Sequence, residues 1–91
     1  MSSSSFSDVV QAVAEERKFQ DEKHGSIQES PHEIGSWVLL IEAELNEVKS
    51  ALIKGGFGRD SYRSELIQVA ALCFAALEQH GLISKSTRRG I

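Results

Sequence analysis

The sequence contains a single cysteine, Cys73, and it has no long apolar run. One cysteine excludes a disulfide within the chain and fits a reducing compartment. No apolar segment approaches the roughly 18 residues that a membrane-spanning helix needs. The serine-rich start, MSSSSFSD, lacks the basic and apolar segments of a secretory signal. We therefore expect a cytoplasmic protein that binds no membrane.

Basic residues are also few. The chain has 10 Lys and Arg residues against 13 Asp and Glu residues, giving a net charge of −3. This balance argues against binding to a nucleic-acid polymer, which needs a basic surface, and it suits a site that binds cations. With 91 residues the chain predicts one domain spanning 1–91, with flexible ends at about 1–6 and 84–91. A domain of this size buries a modest core, so oligomerisation is expected.

The spacing of apolar residues predicts an all-α fold of three main helices. No segment alternates apolar and polar residues as a β-strand does, and apolar residues recur at intervals of three and four. The first helix is expected from about Ser7 to Lys23, with Ser7 or Asp8 as its N-cap and Gly25 as its stop. The expected bounds of the other two are about 30–54 and 60–80, with Gly81 following the third.

The start of the second helix carries the clearest local signal. The segment SPHE, residues 30–33, places Ser30 at the N-cap, Pro31 at the first helical position and Glu33 at the third. This pattern is typical of a capping box, with proline where its missing N–H costs nothing.

The third helix is expected to pack against a second subunit. From Leu66 to Leu77 only Gln68 is polar. A helix that is apolar nearly all round must be covered on all sides, and two other short helices cannot do this. The simplest arrangement is a two-fold dimer.

A carboxylate interrupts the apolar stripe of the second helix. Glu44 lies within that stripe, and Glu47 follows one turn later, about 4.5 Å along the axis. The third helix carries a pair at the same spacing, Glu65 and Gln68. If the two helices pack antiparallel, the four side chains face one another and form the oxygen-only cluster that Mg²⁺ prefers.

The residues alone leave two interpretations of this cluster open. Two glutamates at this spacing most often form a solvated face, but an unpaired Glu44 in an apolar stripe would be costly. The cost is removed either by a metal ion or by an ion-pair seam with a lysine of a second subunit.

The segments EAELNEV and SELIQVAAL, preceded by RKFQDEKHG and Trp37, resemble the short, single-domain MazG-type all-α NTP pyrophosphohydrolases. The resemblance covers about residues 17–78. Members carry a Glu-Glu-x-x-Glu helix followed by Glu-x-x-Asp on the next helix. The resemblance implies hydrolysis of a nucleoside triphosphate between its α and β phosphates, Mg²⁺ bound by the acidic positions, and an oligomer whose helices share the site.

Carried over to this chain, the resemblance implies metal ligation by Glu44, Glu47, Glu65 and Gln68, with Glu47 also accepting the proton of the attacking water. Mg²⁺ is the expected cofactor, with Mn²⁺ as the alternative. The sequence departs from the family pattern twice. Ala43 stands where many members have the first Glu, and Gln68 stands where most have Asp. An amide keeps an oxygen but loses a charge, so Mg²⁺ affinity should fall or one metal site should be lost.

Four further side chains are candidates for binding the nucleotide. Trp37 is either a platform for the base or a packing residue, with packing favoured. Lys54 is placed to meet a phosphate, although a lysine at a helix C-terminus needs no such role. Lys23 and Gln20 match a recurring element of the short relatives and are candidates for closing over the nucleotide; the alternative is that both are solvated.

The predicted protein is therefore a Mg²⁺-dependent enzyme that converts a (d)NTP and water to a (d)NMP and pyrophosphate. Its helices would form a four-helix-bundle-type site in a homodimer or homotetramer. The alternative is an inactive helical module of the same fold, with the acidic cluster as a structural seam and the third helix as a partner-binding surface.

Overall fold

The computed structural model describes residues 3–55 and 61–84. Over these residues the chain forms three α-helices and no strand: α1 (Phe6–His24), α2 (Ile34–Gly55) and α3 (Ser61–His80). The expected all-α fold is confirmed. Of the ends expected to be flexible, 1–2 and 85–91 lie outside the described residues, as does Asp60. None of the described helices is long and apolar enough to cross a membrane.

The first helix begins slightly earlier than expected and ends before Gly25, as predicted. Ser5 is the N-cap, because its Oγ accepts a hydrogen bond from the Asp8 amide at 3.1 Å. The expectation of Ser7 or Asp8 as the cap is therefore wrong. Gly25 follows the helix with φ at 88°, and its amide donates to the Asp21 carbonyl at 2.9 Å. Glycine adopts this left-handed conformation without the strain of a side chain.

The predicted capping box at 30–33 is wrong. Residues 26–30 form a turn, in which the Ser30 amide donates to the Ser26 carbonyl at 2.8 Å. The first helical bond of α2 runs from the Trp37 amide to the Glu33 carbonyl at 3.1 Å. A tertiary contact fixes the intervening segment, since the His32 amide donates to Gln79 Oε1 of α3 at 3.0 Å. This contact keeps the chain outside the helix where the local pattern favoured a helix start.

The third helix is the centre of the fold. Within the described helices, α1 and α2 each pack against α3 and not against each other. The helix presents three buried alanines to its neighbours, and their small side chains permit close approach: Ala71, Ala75 and Ala76. Helix α2 runs antiparallel to α3, because Trp37 near its start bonds to Gln79 near the end of α3. Helix α1 is joined to α3 by Arg17.

A charged residue, Arg17, lies at the α1–α3 contact and is only 9% exposed. Its Nε donates to Glu78 Oε2 of α3 at 2.6 Å, and its Nη1 donates to Asp21 Oδ1 at 2.9 Å. Burial alone lowers the pKa of the guanidinium, but the hydrogen bonds and charges of the two carboxylates outweigh burial and raise that pKa. The arginine therefore stays charged and fixes the position of α1.

Much apolar surface on the other side of α3 is exposed in a single chain. Phe74 is 46% exposed and Leu77 is 50% exposed. By helical position Leu77 points away from the buried alanines, and Phe74 lies one turn from Ala71 at the edge of the packed side. Together with half-exposed residues of α2 they form what we call the open face: Leu66, Phe74 and Leu77 of α3, with Ile34, Val38 and Leu45 of α2.

Candidate active site

A cleft opens between α1 and α2, and α3 forms its floor. Its volume is about 630 Å³, within the roughly 300–1,000 Å³ of small-molecule sites. One part of the lining is apolar and includes Ile27 and Leu72. The polar part draws on all three helices and includes Glu16, Arg17 and Lys23 of α1, Glu44 of α2 and Gln68 of α3.

Glu44 is the most unusual side chain of the cleft. Its Oε2 exposes less than 1 Å² and has no hydrogen-bond partner among the described residues. Burial raises the pKa of this carboxyl group. The Glu65 carboxyl, within hydrogen-bonding reach, raises it further, as do the negative charges of Glu65, Glu47 and Glu16. All of the groups that shift this pKa are acids, so Glu44 lies in an environment that a cation would relieve.

The structure brings some of the four predicted metal ligands together. The helices are antiparallel, as the predicted cluster requires, and Glu44 of α2 meets Glu65 of α3. Glu47 and Glu65 line a second, smaller recess of about 320 Å³, whereas Gln68 lines the main cleft beside Glu44. No group of three or more His, Cys, Asp or Glu side chains within residues 3–55 and 61–84 is arranged to hold a metal ion. Two of the predicted ligands, Glu44 and Glu65, therefore lie together, but the complete chelate is not assembled.

The candidate nucleotide-binding side chains divide between the two cavities. Gln20 and Lys23 of α1 line the main cleft. The Lys23 ammonium lies 5.9 Å from the centroid of the Phe19 ring, a cation–π distance. Lys54 lines the smaller recess with Glu47. The two lysines thus border different cavities, and their roles remain predictions.

Trp37 is a packing residue, the interpretation favoured from sequence. It is 5% exposed and packs with Ala75 and Ala76. Its Nε1 donates to Gln79 Oε1 at 2.9 Å, and its ring meets the His32 ring edge to face with centroids 4.8 Å apart. Trp37 also lines the cleft, and its role as a platform for a base remains a prediction.

Sequence analysis missed Glu16 and Gln79. Glu16 continues the series Val9 and Val13 at intervals of four and three, so helical spacing already placed it on the packed side of α1. Gln79 bonds to Trp37 and His32, which are far away in the sequence, and no local pattern indicates those contacts.

Comparison with known proteins gives no relative. No protein family matches the chain, and neither a curated protein nor a solved structure matches it. The resemblance to the MazG-type enzymes therefore depends on the motifs and their helical context.

Proposed function

We propose that the protein is a Mg²⁺-dependent nucleoside triphosphate pyrophosphohydrolase that converts a (d)NTP and water to a (d)NMP and pyrophosphate. The observation that carries this proposal is the buried Oε2 of Glu44, which lacks a partner in the described part of the chain and lies beside Glu65. A buried carboxylate is costly unless a positive charge compensates it. A divalent cation between the two glutamates would lower the raised pKa of Glu44 and remove that cost.

The donor set fits a hard cation. Glu44 and Glu65 would hold it from two antiparallel helices, with Glu47 and the Gln68 amide oxygen at the neighbouring positions. Oxygen donors of this kind suit Mg²⁺, with Mn²⁺ as an alternative. When bound, Mg²⁺ would supply neutralisation of the phosphate charges and polarisation of the phosphorus.

The remaining steps fall to side chains of the chain itself. Glu47 is exposed in the smaller recess, where it can accept the proton of an attacking water. Gln20 and Lys23 line the wider cleft, where they would contact the nucleotide, and Lys54 lies beside Glu47, where it would meet a phosphate. Trp37 would contribute its cleft-facing edge to the base.

We further propose that the protein works as a homodimer or homotetramer in the cytoplasm, with two α2–α3 pairs forming a four-helix bundle. The proposal is supported by the open face, which leaves Phe74 and Leu77 about half exposed. Burial of such side chains is worth about 1.5–3 kcal/mol each. Leu77→Lys should give a folded monomer, measured by light scattering after size-exclusion chromatography. Ile53→Lys is the control, because Ile53 is 84% exposed and lies off the open face.

A screen of the common (d)NTPs with Mg²⁺ or Mn²⁺, detecting pyrophosphate, tests the activity. At least one substrate should release pyrophosphate, and Glu44→Gln should reduce its turnover on the order of 100-fold or more. Mutation of a residue that only supports a metal ligand already lowers metal affinity or activity by about 10- to 100-fold. Glu42→Gln is the matched control, an exposed glutamate of the same helix, and should keep full turnover.

The second candidate function is a non-catalytic helical module that binds a partner through the open face. It is favoured by the amount of apolar surface that α3 exposes. In that case the folded oligomer releases pyrophosphate from none of the (d)NTPs. Glu44→Gln would then change the melting temperature or the oligomeric state without any turnover to lose.

A further inference from the structure

We propose that the Phe19 ring of α1 stacks on the base of the bound nucleotide. This inference rests on the proposed function, because it assigns a substrate-binding residue to the same cleft. It gives the stacking face to Phe19 and leaves Trp37 only an edge contact with the base.

Two large aromatic side chains line the cleft within the described residues, and they differ in what they expose. Phe19 is 55% exposed, whereas Trp37 is 5% exposed. The indole packs with Ala75 and Ala76, and its Nε1 donates to Gln79 Oε1 at 2.9 Å. Stacking on a base requires an open aromatic face. Phe19 has such a face, and Trp37 does not.

The walls of the cleft beside Phe19 suit a planar ring. Phe19 of α1 and Leu40 of α2 line the cleft from two helices that do not contact each other. Ile27, from the segment that joins those helices, lines the same cleft and packs against the core. Leu40 is 40% exposed, so apolar surface is open to water on both walls. A base inserted between them would remove that surface from water, which is favourable.

A positive charge without an ion-pair partner lies beside the same ring. Lys23 Nζ is 5.9 Å from the Phe19 ring centroid, and no ion pair within the described residues includes Lys23. Arg17 also lines the cleft, but Glu78 and Asp21 compensate its charge. An open aromatic ring next to an available ammonium group suits a ligand that is aromatic at one end and anionic at the other. A nucleotide has this chemistry.

Steady-state kinetics with the best (d)NTP of the screen test this proposal. Phe19→Ala should raise KM on the order of 10-fold, because stacking of a base on an aromatic side chain contributes about this much to binding. Phe19→Tyr, which keeps a ring, should retain most of the affinity. Phe6→Ala is the matched control, because Phe6 lies on the same helix, is 84% exposed and lines neither cavity. Its KM should equal that of the unaltered chain.

A probe without a base separates loss of stacking from damage to the cleft. Sodium tripolyphosphate carries phosphates alone, so its inhibition constant should be the same for Phe19→Ala and the unaltered chain. The melting temperature and the oligomeric state of Phe19→Ala should also be unchanged, because the ring is largely exposed. Trp37→Phe should instead lower the melting temperature, because it removes the bond to Gln79, and it should raise KM less than Phe19→Ala does.

Three outcomes would overturn the assignment while the enzyme proposal stands. The first is an unchanged KM in Phe19→Ala. The second is an equal weakening of the (d)NTP and of tripolyphosphate, which would mean that the substitution distorts the cleft. The third is a monomeric Phe19→Ala protein, which would mean that a second subunit covers the ring.

Failure of the proposed function gives a different result, in which the unaltered chain releases pyrophosphate from none of the (d)NTPs. Isothermal titration calorimetry with dAMP, dCMP, dGMP and dTMP then tests Phe19 without turnover. Binding that is lost in Phe19→Ala and kept in Phe6→Ala would support a base platform in a non-catalytic protein. If none of the four binds, or if Phe19→Ala binds them normally, the assignment of Phe19 fails as well.

Discussion

Two polar clusters lie along the same pair of antiparallel helices, and only one of them is satisfied. Near the start of α2, Gln79 Oε1 accepts from Trp37 Nε1 at 2.9 Å and from the His32 amide at 3.0 Å. Its Nε2 donates to the His32 carbonyl at 2.5 Å. Two turns along α2, Glu44 Oε2 exposes less than 1 Å² and has no partner in the described part of the chain.

The difference follows from the chemistry of the two groups. An amide carries both donors and acceptors, so Gln79 can satisfy itself with the backbone and an indole. Two ionised carboxylates carry acceptors only, so Glu44 and Glu65 cannot satisfy each other unless one takes up a proton or both share a cation. The paired cluster is explained by structure alone. The unpaired cluster needs either a shared proton or a cation, and this contrast is the ground for proposing a functional site at Glu44.

The largest stability effect is expected at the paired cluster. Gln79→Leu leaves the Trp37 Nε1 donor buried without an acceptor, which costs about 2 kcal/mol of unfolding free energy. The measurement is urea denaturation at a fixed protein concentration, because oligomerisation would otherwise change the apparent stability. Gln11→Leu, at an exposed position of α1, should change stability by less than about 0.5 kcal/mol. Equal effects of the two substitutions would show that the Gln79 contacts are not stabilising.

The opposite sign is expected at the unpaired cluster. In cation-free protein, Glu44→Gln should increase the unfolding free energy by about 1 kcal/mol, because the new amide can donate to the Glu65 carboxylate. Glu42→Gln, on the exposed side of α2, should leave stability almost unchanged. A marked loss of stability in Glu44→Gln would instead favour an ion-pair seam, in which Glu44 already has a cationic partner.

A smaller loss is expected for charges that are paired but close to water. Arg17 is bonded to Glu78 and Asp21, whose side chains are 52% and 38% exposed. Arg17→Met keeps the apolar stem and lets water solvate both carboxylates, so the loss should be below about 1 kcal/mol in a urea titration. A loss of unfolding free energy several times larger would show that water does not solvate the Glu78 and Asp21 carboxylates when the Arg17 guanidinium is removed.

Sequence analysis predicted the elements that depend on local rules. The apolar spacing gave the three helices, and glycine marked two of their ends: Gly81 has φ at 88°, and its amide donates to the Leu77 carbonyl at 2.8 Å. The sequence analysis also expected antiparallel helices to bring Glu44 and Glu65 together, and the Glu65 carboxyl lies within hydrogen-bonding reach of Glu44.

The rest depends on contacts between residues far apart in the sequence. The capping box at Ser30 was a sound local pattern, but the bonds between Gln79 and the His32 backbone prevent the helix from starting there. Likewise, Glu16 reaches the cleft because Arg17 bonds to Glu78, and the sequence does not reveal that pairing. Local propensity yields to such tertiary contacts.

The last prediction concerns the pH dependence of stability. Burial, together with the nearby acids, raises the pKa of Glu44 above its ordinary value of 4.5. Between 4.5 and the raised pKa the folded chain binds more protons at this site than the unfolded chain does, so the unfolding free energy falls as pH rises through that range. The lowered pKa of Glu29, caused mainly by the Ser26 amide, acts only below this range. In cation-free protein, the unfolding free energy of Glu44→Gln should therefore exceed that of the unaltered chain by an amount that grows as pH rises above 4.5. Saturating Mg²⁺ should remove this difference at neutral pH, because the bound cation would compensate the Glu44 carboxylate. If the difference in unfolding free energy between Glu44→Gln and the unaltered chain does not vary with pH, the pKa of Glu44 is not raised in the folded chain. The contrast between Glu44 and Gln79 would then lose its basis.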